Sequence, residues 1–185
     1  MDSGKCQDAM RIYRRLIALN PDSTESWFKK GLVHIELKEH RKAIYCYQKV
    51  LKQDPQNAGA WNNSAICYWN LDYKKAAIRR YQTAIQFEVQ QKTEDSYALS
   101  NLISCYGKLE QFGNALITLD FWLKHFPDSK YAKQEREALM NEKQISNLTR
   151  LNTIHASEDR LTKDQISILI HRIFLKLGRP LLRPR

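Results

Sequence analysis

What this sequence lacks removes several classes of protein. No apolar run approaches the ~20 residues that a membrane-spanning helix needs. The opening "MDSGKCQDAM" has none of the features of a signal peptide, which predicts a cytoplasmic protein. Cysteine is sparse: Cys6, Cys46, Cys67 and Cys105 lie 40, 21 and 38 residues apart, with no CxxC or zinc pattern. They read as free structural thiols of a reducing compartment. The five histidines, His34, His40, His125, His155 and His171, show no metal-ligand spacing. Phosphate loops, nucleophile motifs and acidic pairs of defined geometry are all absent, so neither enzyme activity nor a metal or cofactor is expected. The sequons Asn62-Asn63-Ser64 and Asn147-Leu148-Thr149 fall in helix-like stretches and read as chance matches.

Negative charge is also short. Thirty Lys and Arg face twenty Asp and Glu, a formal charge of +10. That balance suits an acidic partner, nucleic acid or an anionic membrane surface, and it equally suits a solvated basic surface. Of the 185 residues 43% are hydrophobic and 27% charged, enough for one domain with a sizeable core and an appendage.

What is present is a repeat. Trp27 and Trp61 are 34 residues apart, and Pro21 and Pro55 are again 34 apart. At the same interval Ala43 falls on Ala77, Tyr47 on Tyr81 and Val50 on Ala84. Upstream, Ala9, Tyr13 and Pro21 repeat the spacing of Ala43, Tyr47 and Pro55. Downstream, Tyr106, Ala115 and Pro127 repeat that of His34, Ala43 and Pro55, with four residues inserted near "QQKTED". Together these positions resemble the tetratricopeptide repeat family over residues 5 to 129. The pattern departs at Lys30 and Ser64 (for Leu), Ile103 (for Gly), Val89 (for Pro) and Trp122 (for a small residue).

The resemblance implies an all-α fold, a right-handed α-solenoid of antiparallel helix hairpins. It would hold about three and a half units over residues 1–129. The spacing predicts helices near 4–19, 24–37, 40–53, 58–70, 74–89, 95–108 and 112–125. Small residues sit where helix backbones approach, and large rings fill the gaps between hairpins. Proline stops each second helix and orients the next unit. The first unit has room for its second helix alone. Its inner face is then exposed, covered by a partner, or left open by a shortened chain.

Beyond the repeats, residues 130–154 read as a capping helix, with Asp128 or Ser129 as its N-cap; a partner-binding helix is the alternative. Residues 155–185 read as a polar linker, an amphipathic tail helix and a basic tail. Thr162 and Gln165 form a capping box, and Gly178 suits the stop. Ile166, Leu169, Ile170, Ile173 and Leu177 share one face at helical spacing. That face docks on the chain's own solenoid, serves a partner or a second copy, or lies on a membrane interface.

In tetratricopeptide repeats the first helices line a concave groove. The resemblance places Phe28, Lys29, Leu32 and Glu36 there from the second unit. It adds Asn62, Asn63, Ile66, Trp69 and Asn70 from the third, and Ser100, Asn101, Ser104 and Lys108 from the fourth. Asn63 and Asn101 occupy equivalent positions, and an amide can hold an extended backbone without reading its side chains. The family's carboxylate clamp is not expected: only Asn63 fits it, while Phe28, Leu32, Tyr97 and Asn101 stand in its other slots. The expected function is a protein-interaction module binding a protein or peptide segment. The alternative is a basic repeat protein on nucleic acid or an anionic membrane. For nucleic acid it rests on charge alone, because the tyrosines beside arginine are core positions. Self-association through the tail helix or the incomplete first unit is a further expectation.

Overall fold

The structure is a computed structural model that describes residues 3–93 and 96–141. Among these residues there is no strand. The helices are α1 (Ser3–Leu19), α2 (Thr24–Glu36), α3 (His40–Gln53), α4 (Ala58–Asn70), α5 (Lys74–Gln90), α6 (Tyr97–Lys108) and α7 (Phe112–His125). Residues 130–141 are again helical. The expected boundaries agree to within two residues. The expected cap beyond 141 and the whole tail, including Ile166, Leu169, Ile170, Ile173 and Leu177, lie outside the described residues.

Three hairpins stack: α2 on α3, α4 on α5, α6 on α7, joined through α3 with α4 and α5 with α6. The fold is therefore an all-α solenoid of helical hairpins, with α1 standing before them as a lone second helix packed on α2. Four caps set the first helices. Ser23, Asn57, Ser96 and Ser129 each accept, at 3.2, 2.9, 2.9 and 3.3 Å, the backbone N–H three residues on. Each such cap contributes about 1 kcal/mol.

Within each hairpin the chain turns through one left-handed residue, Lys38, Asp72 or Glu110. The N–H beyond it donates back to the last turn, as Glu39 does to the His34 carbonyl at 2.8 Å. Between hairpins proline does the work: α1, α3 and α7 all end two residues before Pro21, Pro55 and Pro127. Val89 stands at the third such position, and α5 runs on to Gln90, three residues longer than α3. It stops instead on a left-handed Lys92. The inserted residues thus lengthen a helix before forming a turn.

The repeat positions are the core. Ala43, Tyr47, Val50, Ala77, Ala84, Ala115, Leu119 and Trp122 are fully buried. A Cβ on Gly31 would lie 2.7 Å from the Tyr47 ring, so this glycine is needed for close approach. Trp122, in a slot meant for a small residue, is accommodated by stacking on Phe126 at 4.6 Å. Ala132 and Leu139 bury themselves in the same cluster, so residues 130–139 cover the end of the last hairpin. Arg136 pairs across to Asp120 on α7 at 2.6 Å.

Candidate functional site

The first helices carry the expected groove residues, and the structure ties some of them together. Asn101 Nδ2 donates to Asn62 Oδ1 at 3.0 Å, bridging α6 to α4. Asn62 Nδ2 donates in turn to Asn63 Oδ1 at 3.3 Å. The three amides form a short chain in which Asn62 is buried and Asn63 and Asn101 are half-buried. Asn63 also stands beside the buried Tyr47 hydroxyl, whose titration burial pushes far up and Asn63 partly offsets. Asn70 turns back on its own helix, donating to the Ile66 carbonyl at 2.8 Å.

The remaining expected residues are spread along this side. Leu32 and Ile66 are half-buried, while Lys29, Glu36, Ser104 and Lys108 are exposed. Phe28 packs edge-on against Tyr47 at 5.6 Å and stands 3.4 Å from where a Cβ on Gly59 would lie. Trp69 is engaged by Lys74, whose Nζ lies 4.2 Å from the ring centroid. Spacing alone showed Asn63 and Asn101 as equivalents. It missed the bond from Asn101 to Asn62, because a contact 39 residues long crosses two hairpins.

Two other features carried readable signals. Trp27 and Trp61 donate their indole N–H to the carbonyls of Pro21 and Pro55 at 2.7 and 2.8 Å. Each ring therefore pins the turn that precedes its own helix, and the shared interval of Trp and Pro was the sequence trace of that bond. On the other side, the "HIELKEHRK" stretch assembles a polar cluster. Buried His34 meets Glu39 through Nδ1 at 2.7 Å, and Lys42 meets the other Glu39 oxygen at 2.7 Å. Burial holds the His34 pKa below its ordinary value despite Glu39, so the ring is neutral near pH 7.

All four cysteines are free and buried. Burial pushes Cys46 and Cys105 up to about 11 and Cys67 to about 12, which keeps them as thiols. Among the described residues no group of three His, Cys, Asp or Glu is placed to hold a metal. No helix there is long and apolar enough to cross a membrane.

This geometry defines a class, the solenoid of helical hairpins. Residues 24–57 and 46–86 each match a tetratricopeptide repeat family model, so this part of the chain carries tetratricopeptide repeats. Two crystal structures of MamA resemble it. One has 21% identity and a TM-score of 0.61 over 80% of this chain and 88% of that one. The other has 19% identity and a TM-score of 0.57 over 86% and 89%. A structure of YrrB, described as a tetratricopeptide repeat protein with an unusual peptide-binding site, has 19% identity and a TM-score of 0.55 over 73% and 68%. No curated protein sequence matches the chain.

Proposed function

We propose that this chain is a cytoplasmic protein-interaction module, an adaptor, scaffold or assembly chaperone, that holds a partner segment along its first helices. The amide chain of Asn62, Asn63 and Asn101 carries the reading. It offers donors and acceptors without net charge, flanked by the half-buried Leu32 and Ile66, which suits an extended peptide backbone. The peptide-binding site of YrrB, a protein of similar fold, supports a peptide as the occupant. The tail face, Ile166 to Leu177, is proposed as a second contact, and deleting residues 156–185 tests it separately through partner retention.

The test uses a partner recovered from native lysate on the intact chain, then titrated against variants. Asn63→Ala with Asn101→Ala should raise the Kd about tenfold or more while helical content stays unchanged, since each lost bond is worth about 1 kcal/mol. An unaltered Kd in the double variant overturns the groove reading.

A further inference from the structure

Charge is distributed unevenly between the two kinds of helix. α3 carries Arg41, Lys42, Lys49 and Lys52 and no acidic residue. Two of these cations, Arg41 and Lys42, occupy its first turn, where the helix dipole is already positive and carboxylates are the favoured residues. Glu39, at the N-cap, makes no side-chain capping bond. Both of its oxygens are taken by His34 and Lys42.

Beside this helix end lies a cavity of about 620 Å³, walled by α1, α2 and α3. Arg14 enters it from α1, Lys30 from α2, and Arg41 with Lys42 from α3. Glu39 is the one carboxylate in its wall among the described residues, and Lys42 already matches it. Among the described residues Arg14, Lys30 and Arg41 have no ion pair. Lys30 is half-buried, with Nζ 4.9 Å from the Trp27 ring centroid, and its charge bears on both His34 and Cys46 at the cavity floor. Met10 and Tyr45 add an apolar wall.

Three unmatched cations from three helices converge on one concavity, next to a helix end that repels them. An anion there removes their mutual repulsion and gains charge-assisted hydrogen bonds from two guanidinium forks. A single carboxylate accepts from one guanidinium fork; a phosphate, with up to two charges and several acceptor oxygens, can accept from more than one cation at once. The volume falls in the range of roughly 300–1,000 Å³ typical of small-ligand sites. We propose that this cavity is a phosphate-binding site for a phosphate ester or diphosphate, separate from the groove of the first helices.

The full-length chain is titrated with inorganic pyrophosphate, with sodium chloride of equal ionic strength as the control. Saturable binding is expected, accompanied by a rise in melting temperature that chloride does not reproduce. Arg14→Gln and Arg41→Gln, both at exposed positions, should each raise the Kd about tenfold or more. Lys52→Gln, a cation of the same helix that does not line the cavity, should change it less than about twofold. Phosphatidylcholine vesicles containing phosphatidic acid then distinguish the source. Sedimentation that pyrophosphate competes away assigns a lipid headgroup, and pyrophosphate binding without sedimentation assigns a free phosphate ester; both support the site. Non-saturable binding, or an equal loss in Lys52→Gln and Arg14→Gln, shows a diffuse basic face and overturns it.

Discussion

The first helices of this solenoid and the second helices α1, α3 and α5 differ in surface charge. α4 has no charged residue at all, α6 has only Lys108, and α2 balances Lys29 and Lys30 with Glu25 and Glu36. By contrast α1, α3 and α5 carry four cations each, against Asp8 and the buried Glu88, while α7, the last second helix, balances Asp120 with Lys124. The repeat demands apolar and small residues at matching places in both sets, so packing does not cause the difference. It arises on the solvent-facing positions, which the fold leaves free. One surface suits neutral hydrogen bonding and the other suits anions, so the formal charge of +10 belongs mainly to one side of the described unit and to the tail.

The comparison breaks hardest where charge is moved into packing. Ala77→Arg places a cation at a fully buried position of α5 and should cost several kcal/mol, while Lys75→Ala two residues away should cost almost nothing. Urea unfolding of both variants measures it, and similar midpoints would remove Ala77 from the core. Gly31→Ala tests close approach from the first-helix side. Its Cβ would crowd the buried Tyr47 ring, and a loss of about 1–3 kcal/mol is expected by the same measurement.

Acid should sharpen the contrast at the cluster where the two helix types meet. His34 has a lowered pKa in the folded chain, so between that value and 6.5 the unfolded chain binds more protons. Stability is therefore full above pH 6.5 and falls as pH drops through this window. Glu39, lowered by Lys42 and then by His34, extends the loss below 4.5. His34→Gln should flatten the upper part of the pH profile of the melting temperature, and an identical slope in the variant would exclude His34 as its source. The smallest effect expected is a gain. Glu110 has φ 55° at a hairpin turn, and Glu110→Gly should stabilise by about 0.5–1 kcal/mol, read as a higher urea midpoint.

Much of the fold was legible because packing imposes an interval. Ala43 and Ala77 must both be small for the same reason, and the 34-residue spacing records it. The place of Val89 was legible as a missing proline, and the longer α5 was read from the pattern to within one residue of its end, but the left-handed Lys92 that stops it was not, because nothing in the repeat marks how the inserted residues form the turn. The candidate sites were less visible. Asn63 could be placed by offset, but the bond between Asn62 and Asn101 depends on the angle between hairpins. The cations of the cavity are far apart in sequence, Arg14 against Arg41, and no spacing rule joins them.

The lone helix α1 has a consequence for how the molecule comes apart. Ile12 and Leu16 hold the positions of Cys46 and Val50, one 34-residue interval earlier. They are 57% and 43% exposed where their counterparts are 1% and 0%. At the opposite end Trp122 is sealed beneath Ala132 and Leu139. In a stack where each unit is held only by its neighbours, the two ends set the order of melting. Amide exchange is therefore expected to be faster in α1, where Ile12 and Leu16 stay exposed, than near the buried Leu119 and Trp122. Local stability then follows how completely each helix buries its apolar stripe, not its place in the repeat.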